Sequence, residues 1–154
     1  MKMHVGALML AGLFACGSAL AADTPGGSSE PKDPVLEKAT AATKRQDWAG
    51  AASVLKDAVA ANPGNADYHN LYAYSIRKGA SPDMNLVFKH YNEALRIEPK
   101  HRGAHEYIGE AYLMVGNVAK AKEHLSTLDS LCFFGCDEHA MLKKAVAEFE
   151  AKGK

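Results

Sequence analysis

Apolar and small residues recur along this chain in two alternating sets. Val35, Ala39 and Ala42 stand at i, i+4 and i+7, and the spacing returns at His69, Ala73 and Ile76 and again at His105, Gly109 and Tyr112. Each triplet marks one stripe of a helix. Its middle member is always small, as needed where two helices approach closely. A second set runs Trp48, Ala51, Leu55, Ala58 and Pro63, then Met84, Val87, Tyr91, Ala94 and Pro99, then Val118, Ala121, Leu125, Leu128 and Phe133. The pattern predicts an all-α chain of paired helices in three units, over about 33–65, 66–101 and 102–131.

The two sets step differently. The first-helix series advances by 34 and then 36 residues, the second by 36 and then 34. Two extra residues therefore fall between Ile76 and Met84, in the turn Gly79-Ala80-Ser81-Pro82. Gly79 is expected to end one helix, and Ser81-Pro82 to start the next as cap and first residue. After the third unit the closing proline gives way to Leu131-Cys132-Phe133-Phe134-Gly135-Cys136. A seventh helix is expected from Asp137 to Ala151, with Asp137 as its cap and Met141, Leu142, Val146 and Phe149 on its apolar side.

A two-helix unit of about 34 residues resembles the tetratricopeptide repeat. The likeness is carried by Trp48-x-x-Ala51 through Ala58 and Pro63, by Val87 through Ala94 and Pro99, and by Ile108-Gly109-x-x-Tyr112 through Gly116 and Ala121. The resemblance implies an α-solenoid, closed here by a capping helix within 132–154. The arrangement also resembles small exported bacterial proteins of this type that end in a two-cysteine segment. In such solenoids the first helix of each unit lines a concave groove for a peptide of a partner protein. The residues just after the packed triplets would be exposed there: Leu36, Thr40, Thr43 and Lys44 in the first unit, Asn70, Tyr74, Arg77 and Lys78 in the second, Glu106, Glu110, Leu113 and Met114 in the third. The groove would be basic from Lys44 to Lys78, with an acidic wall and an apolar end beyond. The Lys/Asn set of the family's carboxylate clamp is not repeated here.

The first residues differ in kind. Met1-Lys2-Met3-His4 precedes an apolar run from Val5 to Ala15, and Ala19-Leu20-Ala21 offers the small residues of a cleavage site. This predicts a signal peptide over 1–21, too short in its apolar part to span a bilayer, and an exported, periplasmic or secreted protein. Leu13-Phe14-Ala15-Cys16 is the competing lipoprotein reading. Residues 22–32, rich in Gly, Pro and Ser, are expected to form a flexible leader.

Charge and cysteines then narrow the function. The 18 basic and 18 acidic residues cancel, which removes any global field for nucleic acid or an anionic membrane. Loss of Cys16 with the signal leaves Cys132 and Cys136, expected to form a disulfide in an oxidising compartment. A metal reading would use Cys132, Cys136 and His139 with Asp137, or His101 and His105, which share a helix face. Cofactors are not expected. C-x-x-C, H-E-x-x-H, phosphate loops and G-x-S-x-G are all missing from the sequence, so the chain is expected to be no enzyme. The readings that remain are a protein-binding scaffold, a metal-handling accessory protein, and a self-associating module, such as a homodimer that covers the open end.

Overall fold

The computed structural model describes residues 33–153; the expected signal peptide, leader and Cys16 lie outside the described residues. Among the described residues seven helices follow one another: α1 (Pro34–Lys44), α2 (Trp48–Ala61), α3 (Ala66–Lys78), α4 (Met84–Ile97), α5 (Arg102–Met114), α6 (Val118–Leu131) and α7 (Asp137–Lys152). α1 packs on α2, α3 on α4 and α5 on α6, and each pair joins the next. The first helices also touch in series, α1 to α3, α3 to α5 and α5 to α7, and so form one wall of the solenoid.

Polar residues in the turns start the helices. The Asp33 carboxylate accepts from the backbone N–H groups of Val35 and Leu36, Asp47 from Gly50, Asn65 from Tyr68, Asp83 from Asn85 and Leu86, and Asn117 from Lys120. Each satisfies donors that the helix itself leaves open. Two expected starts move. α4 begins at Met84 behind Asp83, not at Ser81-Pro82, because a carboxylate two to three residues before the open N–H groups is the better acceptor. α7 begins at Asp137 itself, with Cys136 in the cap position and no side-chain bond to the open N–H groups. Asp137 and Glu138 instead place negative charge in the first turn, where the helix dipole favours it.

The small middle positions do what close packing requires. Ala39, Ala73 and Gly109 sit where neighbouring helices meet, and the two alanines are fully buried. A Cβ on Gly109 would lie 2.6 Å from Cδ2 of Leu142, so α7 seats a leucine directly on the α5 backbone. Ala73, Val87, Tyr91, Ile108 and Ala111 form the central core; Leu113, Ala121, Leu128, Leu142 and Val146 form the C-terminal one. α7 keeps the repeat phase, since Leu142 and Val146 stand 34 residues beyond Ile108 and Tyr112. It is the first half of a further unit. Met141, expected on its apolar side, is 55% exposed instead, because the stripe that meets α5 and α6 runs through Leu142 and Val146. Cys132 and Cys136 are joined as a disulfide, with Cα atoms 5.5 Å apart. Gly135 closes that short ring at a φ of 86°, a conformation glycine adopts freely.

Candidate functional site

The wall built by α1, α3 and α5 carries an aromatic lane. Trp48, at the start of α2, meets the Tyr74 ring edge-on at 5.8 Å, and Tyr74 packs on Tyr107 at 4.6 Å. The Lys78 ammonium lies 5.8 Å from the Trp48 ring centre. The Arg77 guanidinium lies 5.5 Å from the centre of Tyr74 and 5.9 Å from that of Tyr107. Rings and cations at these distances attract each other. At the α1 end, Asp33, Leu36, Glu37, Thr40, Ala41 and Lys44 line a recess of about 510 Å³.

The expected groove residues divide into two classes. Tyr74 and Glu110 are half-buried, and Lys78 and Met114 are exposed. Asn70, Arg77, Glu106 and Leu113 are buried, contrary to the expectation that they stand free in the groove. Leu113 joins the core that α7 completes. Arg77 reaches Glu110 at 2.6 Å and the Tyr91 hydroxyl at 3.3 Å, so its charge is neutralised within the fold. The groove is therefore less basic than the expected run from Lys44 to Lys78 implies. Among the described residues Glu106 makes no hydrogen bond or ion pair of this kind, though the Arg77 charge lies near. Burial, with Glu110 and Glu138 near, raises its pKa to about 8. Asn70 is 4% exposed and its Oδ1 has no hydrogen-bond partner. Gly103 supplies no side chain in front of it; a Cβ there would lie 3.4 Å from the Asn70 Nδ2.

The histidines do not form the expected face-sharing pair. His101 caps α5, its Nδ1 accepting from the Ala104 N–H at 3.1 Å, and its Nε2 meets Asp67 at 3.0 Å. His105 belongs to a different arrangement. Its Nε2 meets the Pro99 carbonyl at 3.0 Å and its Nδ1 meets Nδ1 of His124 at 2.9 Å. One unit earlier His69 repeats this, with Pro63 at 3.0 Å and His90 at 2.8 Å. A carbonyl can only accept, so His69 and His105 carry their proton on Nε2, and in the neutral pairs His90 and His124 donate from Nδ1. Burial beside a second imidazole lowers the pKa of His90 and of His124 to about 4. Both ring nitrogens of His69 and of His105 are thus engaged within the fold. His90 and His124 were not foreseen, although they stand 34 residues apart and in step with the second-helix series.

The Cys132 and Cys136 sulfurs are bonded to each other, and His139 pairs with Asp129 at 2.6 Å. Cys132, Cys136 and Glu138 are the one group of three metal-type side chains that converge among the described residues, and the disulfide uses two of its donors. No described helix is long and apolar enough to cross a membrane.

No protein-family model matches the chain. An inactive thioredoxin of Arabidopsis thaliana with tetratricopeptide repeats, TTL3, is 29% identical over 102 residues; the match spans 66% of this chain and 14% of that protein. Among solved structures, the TPR2B domain of yeast Sti1 in complex with pHsp70 superposes with a TM-score of 0.67 at 16% identity, over 77% of this chain and 94% of that one. PcrH bound to the chaperone binding region of PopD gives 0.63 at 13% identity, over 76% and 86%. The Sgt2 repeat domain of Aspergillus fumigatus gives 0.65 at 18%, over 77% and 76%.

Proposed function

From the premise that this chain folds as a tetratricopeptide-repeat solenoid, we propose that it is an exported scaffold that holds a segment of a partner protein along the wall formed by α1, α3 and α5. The observation that carries the reading is the lane of Trp48, Tyr74 and Tyr107. Three rings from successive units stand in series with Lys78 above the first, which suits an extended or helical segment laid across the units. Two structural neighbours are seen in complexes, PcrH with the chaperone binding region of PopD and the TPR2B domain of Sti1 with pHsp70. The proposal of export rests on the signal-like run at Met1–Ala21. The role is binding, not catalysis.

The test is a peptide array probed with the purified protein, followed by NMR titration of the hits. Binding peptides should shift the Tyr74 and Tyr107 resonances, and Tyr74→Ala with Tyr107→Ala should weaken them by about tenfold or more, as for aromatic anchors at interfaces. Peptides that bind equally well to the double variant would refute the groove. Export is tested by the N-terminus of the protein recovered from its native host; an intact Met1 in a cytoplasmic fraction would end that part.

A further inference from the structure

We propose that the groove takes the disulfide-closed tip of a second copy of this chain, with Phe133 and Phe134 laid on the aromatic lane and Asp137 beside Lys78; this rests on the groove reading above. The fold leaves both phenylalanines unused. Phe133 is 86% exposed and Phe134 97%, and their rings meet edge-on with centroids 5.1 Å apart. The turn that carries them is stiff. The Gly135 N–H donates to the Cys132 carbonyl at 2.7 Å, and the disulfide closes the same turn. A Cβ on Gly135 would meet nothing within 4 Å, so that side of the tip is open. Exposed rings on a pre-ordered turn lose little freedom on binding and are presented to another surface.

The groove matches the tip in kind and in charge. Its lane continues past the three rings, because Arg77, beside Tyr74, also reaches the Met114 sulfur at 3.8 Å. Met114 and Val115 are 52% and 50% exposed. Lys44 and Lys78 stand exposed at the ends of α1 and α3. The tip is acidic: Glu123, Asp129, Asp137 and Glu138 fall within residues 123–142, where the sequence has no Lys or Arg. Arg102 lies 3.8 Å from Glu138 and His139 lies 2.6 Å from Asp129, which leaves Asp137 as the open charge next to the ring. Among the described residues no ion pair engages Lys44, Lys78 or Asp137. Paired aromatics beside an acid therefore match rings beside lysines. The same acids oppose an anionic bilayer as the target of the tip.

The occupant has to come from another copy. α6 carries the chain from the Met114 end of α5 back to the tip over 14 residues, so the tip and that end of its own groove lie about 20 Å apart. Area sets the number of contacts. Two phenylalanine rings bury about 400 Å² and the groove a like amount, so one contact removes about 800 Å², short of the roughly 1,200 Å² of a stable interface. Tip stacked on tip stays at about 800 Å² as well. Two copies that exchange tips about a twofold axis make the contact twice and reach about 1,600 Å².

Sedimentation velocity of the full chain over about 5–500 µM should show a monomer passing into a dimer. Phe133→Ser with Phe134→Ser on the tip, and Tyr74→Ala in the groove, should each weaken the dimer about tenfold or more. Both phenylalanines are exposed, so the tip variant is expected to fold, as circular dichroism will show. Lys78→Glu should weaken the dimer too, and Asp137→Lys added to it should restore it. The probe for the contact alone is the oxidised peptide of residues 130–138, acetylated and amidated. It should dissociate the dimer and shift the Tyr74 and Tyr107 resonances, and its alkylated, open form should bind about threefold or more weakly. A monomer at every concentration, a dimer untouched by the tip or groove variants, a charge exchange with neither loss nor rescue, or an oxidised peptide that leaves both tyrosines unshifted would each overturn the proposal. So would tip-dependent binding to phosphatidylcholine vesicles without self-association, which would make the phenylalanines a bilayer contact. If the oxidised peptide fails while array peptides shift Tyr74 and Tyr107, the tip is excluded and the groove stands. If array peptides bind with no dependence on these tyrosines, the groove falls and the tip's place in it falls too.

Discussion

The paired histidines make acid stability the sharpest quantity to measure. The first unit carries Val35 and Val54 where the second carries His69 and His90, so the double substitution His69→Val, His90→Val copies one unit's solution into the next. His90 has a folded pKa of about 4 against 6.5 for a free imidazole. The native state therefore binds fewer protons than the unfolded state below pH 6.5. The stability this group contributes is complete above 6.5, falls as pH drops through the window from 6.5 to 4, and is gone below it. At about 1.4 kcal/mol per pH unit the loss reaches about 3 kcal/mol, and His124, shifted alike, adds a comparable amount. Against the 5–15 kcal/mol typical of whole domains this decides whether the fold survives at about pH 4.5. Urea denaturation followed by far-UV circular dichroism from pH 7.5 to 4.5 is the assay. The double variant should be less stable at pH 7.5 by about 1–3 kcal/mol, because the Pro63 carbonyl loses its donor. Its stability should then fall with acid by about 3 kcal/mol less than that of the natural protein. Parallel curves would refute the assignment of the titration to this pair.

Three further outcomes follow from the packing. Gly109→Ala drives a methyl group to within 2.6 Å of Leu142 and should destabilise by about 1–3 kcal/mol in thermal melts, with partial rescue by Leu142→Val; no loss would mean that α7 does not seat there. Arg77→Met leaves Glu110 and the Tyr91 hydroxyl without their shared donor, and should lower the urea midpoint by the equivalent of about 1–3 kcal/mol, less than for a fully buried pair because Glu110 is part-exposed. Replacing Cys132 and Cys136 by serine opens a very small ring, so the loss should be about 1–2 kcal/mol at most, read as faster amide exchange in α7 before any change in α1–α4.

The helices were legible because their signal is local. Periodic apolar positions, one small residue per first helix and a polar residue in each turn all act over a few residues, and they located the paired helices and the turn at Gly79–Pro82. The site was less legible because its burial is set at a distance. Arg77 and Glu110 stand on separate helices and neutralise each other across the wall, which no single helix reveals. Leu113 and Glu106 are covered in part by α7, whose phase as a fourth first-helix shows only when Leu142 is aligned with Ile108. Trp48 opens the second-helix series, and nothing in that spacing shows that its ring turns to Tyr74. His90 and His124 could have been found, since both hold one repeat position and both face a first-helix histidine.

The proline that closes each unit gains a meaning beyond ending a helix. Pro63 and Pro99 offer their carbonyls to His69 and His105, so the turn that closes one unit is fastened to the first helix of the next. The third unit ends in Phe133 instead, and His139, the matching residue of α7, turns to Asp129. In a linear array, cooperativity resides in such joints between neighbours. Here each joint passes through an imidazole whose partner ring resists a proton down to about pH 4. When acid forces charge onto that pair and the rings leave the core for water, the carbonyl bond goes with them. Acid thus strikes two ties at each pair, the joint to the preceding unit and the link between the two helices of its own hairpin, so the second and third units should loosen while the first, with Val35 and Val54 in these places, has no such pair to lose.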